Sequence, residues 1–205
     1  MFLGAVPVGA DVRVSTREQA YRVGGTTAGG LVSYMKNFPF PGDGGAAVAN
    51  IRPSYALSVR TNDQGGICRA SVDLRVNFVM TLPQATSQSA LSGGARSAWN
   101  GFVAFARRHE ETHRAAYVQC ANAFAAKAER LTSKAGCMAL SANIRSMLEA
   151  EKAACDRQQK GFDRQQYRAV LGLSLFQMAK YAGPGRKPAH VAAKSGPSVS
   201  MAGPR

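Results

Sequence analysis

The stretch His109-Glu110-Glu111-Thr112-His113 sets two imidazoles four residues apart, with a carboxylate beside the first. On an α-helix that spacing leaves the two rings about 40° apart around the axis, on one face, where both can hold one Zn²⁺. Glu110 is then placed to take a proton from a water that the metal has acidified. The combination points to metal-assisted hydrolysis, with His109 and His113 as ligands and Glu110 as general base. The pattern is restrictive. A chance match to three fixed positions is expected in roughly one of a few hundred chains of this length, and two of this chain's three histidines lie in it. The competing reading is a solvated polar helix face, with the rings packed at its margin and Glu110 in water.

The motif must be carried by a helix and completed from elsewhere. From residue 95 to about 132, apolar side chains including Trp99, Phe102, Ala106, Tyr117, Phe124 and Leu131 recur at steps of three and four. That spacing predicts a long amphipathic helix with both histidines in its buried stripe. Gly136 reads as its C-terminal cap. A second helix is expected over residues 138–160, an interruption at Gly161, and a third helix over residues 165–181. If the first two pack antiparallel about a turn near Cys137, residues whose numbers add to about 275 face one another. Cys120 and Cys155 satisfy that condition, which makes a cross-helix disulfide plausible. His109 and His113 come opposite positions 162–166, where Asp163 is the metal-competent side chain. Asp163 is therefore the leading third ligand, with Asp156 next and Glu149 and Glu151 behind. Its competing role is to cap the start of the last helix. His190 lies in a Pro/Gly/Ser/Lys-rich tail, residues 182–205, whose ordering would cost more entropy than one ligand returns.

Ahead of the helices the pattern is different. Residues 19–24 read as a short strand, and residues 26–35 as a short helix with a threonine cap. Residues 37–45, rich in Pro and Gly, read as a loop. Alternation from Tyr55 to Arg60 and from Cys68 to Met80, around a turn at Asp63-Gln64-Gly65-Gly66, predicts an antiparallel hairpin with one face buried. Pro83 is expected to end it. The expected fold is α+β: a small antiparallel sheet packed on a long helical hairpin that carries the motif, zincin-like in outline. It forms one domain over residues 19–181, with residues 1–18 as an N-terminal segment. The strand from Cys68 to Met80 could offer an edge to an extended peptide. Tyr117 or Tyr167 could donate to a developing oxyanion, although packing in the core or at its rim is the favoured expectation for both.

Composition narrows the partners. The chain has 205 residues with 45% hydrophobic content, enough for one core. Against 12 acidic residues stand 26 basic ones, a formal charge of +14 that predicts attraction to anionic surfaces such as an envelope polymer or lipid. The basic residues are scattered, and no aromatic residues interleave with them, so a basic but nonspecific surface is favoured and specific nucleic-acid binding is not expected. Four cysteines without a Cys-x-x-Cys pair disfavour a zinc ribbon or a redox pair and fit two disulfides in an oxidising compartment. No apolar run is long enough for a transmembrane helix. Residues 1–10 are apolar but short, without a basic start, and read as the remnant of a truncated signal sequence.

These residues resemble a bacterial family catalogued as domain of unknown function 922 and described as predicted secreted zinc-dependent proteases. The resemblance runs over residues 19–168. It rests on Tyr21-Arg22-Val23-Gly24-Gly25-Thr26-Thr27 with Leu31 and Met35, Cys68 opening a strand that ends in Thr81-Leu82-Pro83, Trp99 ahead of the motif, and Phe162-Asp163-Arg164 behind it. It implies an α+β metalloprotease-like fold, zinc, a peptide or protein substrate, and export to the periplasm or beyond. Family members carry a Tyr-Asp pair followed by Thr and His-Gly, whereas this chain has Phe162-Asp163 and then Gln166-Tyr167-Arg168. If that histidine is the family's third ligand, it is lost here; if the aspartate is, the site survives. The rival expectation is a non-catalytic, cationic envelope-binding protein with a structural or vestigial metal site.

Overall fold

The computed structural model describes residues 11–42 and 45–181. The expected signal remnant at residues 1–10 and the tail at 182–205, with His190, lie outside the described residues.

Strands β4 (Asn50–Gln64) and β5 (Ile67–Ala85) form the expected antiparallel hairpin. Its turn falls where the sequence places it: Gly65 and Gly66 take φ of 65° and 81°, and the Asp63 side chain accepts from the Gly66 amide at 2.8 Å. Two successive positive-φ residues match the twist of the flanking strands, which is why a Gly-Gly pair sits there. Along β5 the side chains of Cys68, Val72, Leu74, Val76, Phe78, Met80 and Leu82 point to one face and are buried. Full burial stabilises each of the larger ones by about 1.5–3 kcal/mol.

The sheet is mixed rather than wholly antiparallel. Strand β1 (Asp11–Val23) runs parallel to β5 on the side opposite β4, so β5 is the central strand. β1 starts well before the expected residue 19. Its helix-facing positions are partly polar because they bond to the helix beneath: Thr16 accepts from Arg114 at 2.8 Å, and Glu18 is ion-paired with Arg107. That removes the apolar alternation by which a strand is recognised. β5 also runs on through Pro83. Pairing with β4 has ended at Thr81, so the missing proline amide leaves no ladder bond unmade on that side.

Helix α1 (Ala28–Asn37) is capped by Thr27, which accepts from the Gly30 amide at 3.0 Å. The expected loop after it contains a two-stranded ribbon, β2 (Phe40–Gly42) and β3 (Gly45–Ala47). Tyr21 stacks on Phe40 with ring centroids 4.5 Å apart. Helix α2 (Gly93–Ala128) carries the motif and stops at Ala128. Thr132–Ser133 then form β6 against the start of β5. Gly136, with φ of 99°, is therefore the N-cap of the next helix and not the C-cap of α2. Helix α3 (Cys137–Leu171) passes through Gly161 without a break, and α4 (Ser174–Tyr181) follows after Gly172.

The main core lies between the inner face of the sheet and α2 and α3. A second cluster joins α1, the start of α2 and α4 through Leu31, Trp99, Phe102 and Leu175. Two disulfides tie the layers: Cys120–Cys155 between α2 and α3, as the hairpin arithmetic suggests, and Cys68–Cys137 between β5 and the start of α3. They span 69 and 35 residues for Cys68–Cys137 and Cys120–Cys155 respectively, so each removes about 4 kcal/mol of unfolded-state entropy. No helix among the described residues is long and apolar enough to cross a membrane.

Nothing packs against Gly161 closely enough to require a glycine; a Cβ there would meet the tip of Arg164 at 3.9 Å. Gly161→Ala should therefore raise stability by about 0.5–1 kcal/mol through helix propensity alone. Urea denaturation followed by circular dichroism measures this. A loss of stability would mean that the helix needs a break at that position.

Candidate metal centre

Helix α2 presents Glu110 and His113 in its buried stripe, at 4% and 6% exposure, with His109 at the stripe's edge. Opposite them, α3 presents Gln159, Phe162 and Asp163. His109 Nε2 lies 3.0 Å from Asp163 Oδ1, His113 Nε2 lies 2.8 Å from the same oxygen, and the two Nε2 atoms are 3.0 Å apart. Three donor atoms from two helices thus converge on one point, and they form the candidate metal-ligating group among the described residues.

The hydrogen bonding around His113 explains why this convergence matters. Its Nδ1 lies 2.7 Å from Gln159 Oε1, a carbonyl oxygen that can only accept, so Nδ1 carries the proton. In the neutral ring the Nε2 lone pair then faces a carboxylate oxygen and a second imidazole nitrogen. Three such atoms within 3.0 Å of one another need a hydrogen or a metal ion among them, either a ring N–H or a bound cation. A hydrogen bond that fixes the tautomer from the far side of the ring is the usual support of a metal-ligating histidine. Without an ion the proton takes that place: burial opposes charging His113, but the bonds to Asp163 and Gln159 outweigh it and raise its pKa. Burial likewise opposes ionising Asp163, and its two histidine partners hold it well below the usual carboxylate range.

His109 is oriented differently. Its Nδ1 is buried without a hydrogen bond, and the ring stacks against Phe162 at 5.0 Å and Phe105 at 6.2 Å. Phe162 also meets His113 edge-on at 5.1 Å. One phenyl ring therefore sets the attitude of both imidazoles.

Glu110 does not join the cluster. Its carboxyl is buried beneath the start of β4, where the Ile51 backbone amide donates to it. Burial pushes its pKa up to about 7, against the lowering pull of His109, His113 and that amide. A carboxyl tuned near neutrality beside a possible cation site is suited to receiving and returning a proton. The cluster opens into a cleft of about 660 Å³ between the residues 47–51 wall and one face of α3.

The sequence candidates separate clearly. Asp163 joins the two histidines, while Asp156 accepts from the Tyr117 hydroxyl at 3.1 Å. Glu149 bonds Lys152 at 2.8 Å, and Glu151 bonds Lys127 at 2.7 Å. Asp163 lies mid-helix in α3, so it caps nothing. Tyr117 is buried, and Tyr167 stands exposed on the cleft. The strand from Cys68 to Met80 offers no edge, because β5 is paired on both sides; β4 is the edge strand beside the cleft. Gln159, Phe105 and the Ile51 amide were not anticipated. Gln159 could have been found, since it is one helical turn before Asp163 on the same face.

The sequence pattern of a family described as bacterial protein of unknown function (DUF922) matches residues 18–169, a span that holds every residue of the cluster. No curated protein and no solved structure matches the chain.

Removing the Asp163 charge should release His113. In metal-free protein, Asp163→Asn is expected to lower the His113 pKa, because an amide no longer stabilises the imidazolium. Two-dimensional NMR titration of the ring protons reads this directly; an unchanged His113 would show that Asp163 does not face the rings in solution.

Proposed function

The chain belongs to the DUF922 family of bacterial proteins, and we propose that it is a zinc-dependent metallopeptidase. The observation that carries this reading is the meeting of His109 Nε2, His113 Nε2 and Asp163 Oδ1 within 3.0 Å of one another, with Glu110 next in sequence to the first ligand. Two imidazoles and one carboxylate are a donor set that suits zinc and leaves a coordination position for substrate. When bound, the metal would supply Lewis acidity and a water of lowered pKa.

The chain's own groups would do the rest. Glu110 would accept the proton of the attacking water at its carboxylate and return it to the leaving amine, with the Ile51 amide fixing its orientation. Gln159 would keep Nδ1 of His113 protonated, so that Nε2 stays available as a ligand. The outer edge of β4, beside the cleft, would take an extended peptide by strand addition and bring its backbone past Glu110. Tyr167 is placed to donate at the mouth of the cleft, whereas the Tyr117 hydroxyl is engaged with Asp156. A mixed sheet lying across the motif-bearing helix supports the zincin-like reading. The two disulfides support an oxidising, extracytoplasmic setting, periplasmic or secreted.

Purified protein should take up one zinc ion per chain, as measured by plasma mass spectrometry after exposure to zinc and dialysis. Glu110→Gln should keep the metal but lower peptide cleavage by about 10²–10⁴-fold, the usual worth of a general base. His113→Ala and Asp163→Ala should lose the metal. Zinc affinity should weaken as pH falls through the raised His113 pKa, because the proton competes for the same lone pair. Zinc retained by the native chain with no cleavage of any peptide in a random library would favour the non-catalytic reading.

A further inference from the structure

The face of the sheet turned away from the helices is lined with arginines. Residues on that face follow from strand alternation and register: Arg13 of β1 sits beside Arg75 of β5, while Arg17 of β1 and Arg52 of β4 flank Val79. Arg60 lies beside Ser71, and Arg69 beside Asn62. All six arginines are exposed. Among the described side chains of this face the one acid is Asp73, which is ion-paired with Arg13. The ribbon β2–β3 covers the far end, where Tyr21 stacks on Phe40 and Arg52 donates to the Pro41 carbonyl at 3.5 Å, and no described element covers the rest.

Along the strands these rows of arginines stand about 7–13 Å apart; across them the backbones of Arg13 and Arg75 are about 5 Å apart, and those of Arg17 and Arg52, on either side of Val79, about 10 Å. Between the rows lie hydroxyl and amide groups: Ser15 donates to Asn77 Oδ1 at 2.7 Å, and Ser54 to the Asn77 carbonyl at 3.2 Å. Guanidinium groups are forked donors that bind phosphate in pairs, and this face uses arginine throughout with no lysine. Six of the chain's 26 basic residues therefore share one face of the sheet.

We propose that this arginine face binds the phosphate headgroups of an anionic lipid surface and seats the protein on a membrane without entering it. Ala56, beside Arg75, and Val79, between Arg17 and Arg52, are the apolar side chains within the arginine rows, too small to insert into hydrocarbon. Among the described residues no aromatic side chain lies between the rows to stack on a base, and no helix projects from the face to enter a groove, which argues against nucleic acid. Two disulfides point to a compartment in which lipid headgroups are a standing polyanion. The cleft lies beside β4, at the margin of this face, so a protein seated on it would keep the cleft open to the side. The inference does not depend on the metal or on catalysis.

The test is co-sedimentation of the full chain with phosphatidylcholine vesicles, with and without phosphatidylglycerol. Binding is expected with the anionic lipid alone and should weaken steeply between about 0.05 and about 0.5 M salt. Replacing Arg13, Arg17, Arg52 and Arg75 with Gln should weaken it by about a hundredfold or more. Replacing Arg130, Arg145, Arg157 and Arg168 with Gln removes the same charge from helices and their ends and should weaken it far less. The pair Arg17→Gln with Arg60→Gln leaves the Arg13–Asp73 contact intact and should still weaken binding by about tenfold or more. Equal loss in the two fourfold variants would overturn the proposal, and so would duplex DNA binding without vesicle binding, or no vesicle binding by the native chain.

Discussion

Everything about the candidate centre follows from bringing three lone pairs to one place. Two imidazole nitrogens and a carboxylate oxygen within 3.0 Å repel one another unless a hydrogen or a metal ion sits among them, and burial of His113 strengthens that demand. Such an arrangement survives only where the scaffold allows the side chains no escape. Here α2 and α3 cross as an antiparallel pair, and the Cys120–Cys155 bridge pins them about two helical turns from the cluster. Gln159 and Phe162 then remove the remaining freedom of the rings, one through a hydrogen bond and the other by stacking.

The site was legible in the sequence to the extent that helices obey simple arithmetic. The four-residue step between His109 and His113 fixes a common face. The antiparallel hairpin then selects Asp163 and pairs Cys120 with Cys155, because rise per residue is the same in both helices. Gly161 was a false break: a single interior glycine costs only about 1 kcal/mol, which a long packed helix absorbs. Phe162 was visible as a marked position but not as the ring that orients both histidines, since stacking partners depend on side-chain direction and not on spacing.

The sheet was harder to read because its bonds are not local. β1 looked unpromising where Thr16 and Glu18 replace apolar residues, and the reason lies on α2, in Arg114 and Arg107, far away in the chain. Pro83 looked like a stop because the rule assumes partners on both sides, and β4 has already left. The scattered arginines read as a nonspecific surface. Alternation alone places Arg13 with Arg17 and Arg69 with Arg75, but only the register of β1 and β4 on β5 assembles them on one face.

Glu110 shows most plainly that this region is not arranged for stability. A carboxyl raised from 4.5 to about 7 by burial destabilises the folded chain by about 3 kcal/mol once pH exceeds that higher value, and the penalty vanishes below the unfolded value, where both states are protonated. Asp163 works in the opposite sense: its depressed pKa stabilises the fold above the ordinary carboxylate range and is lost as pH falls through its lower folded value. A stripe that otherwise holds Trp99, Phe102, Ala106, Tyr117 and Phe124 would accept leucine at position 110 on packing grounds alone. Keeping an ionisable group there instead, under a backbone amide and beside two imidazoles, costs stability that packing does not repay. A cation at the histidines and Asp163 would draw the Glu110 pKa down and offset part of that cost. The buried carboxyl and the convergent donors are thus coupled, because any positive charge that the cluster holds lowers the cost of ionising Glu110.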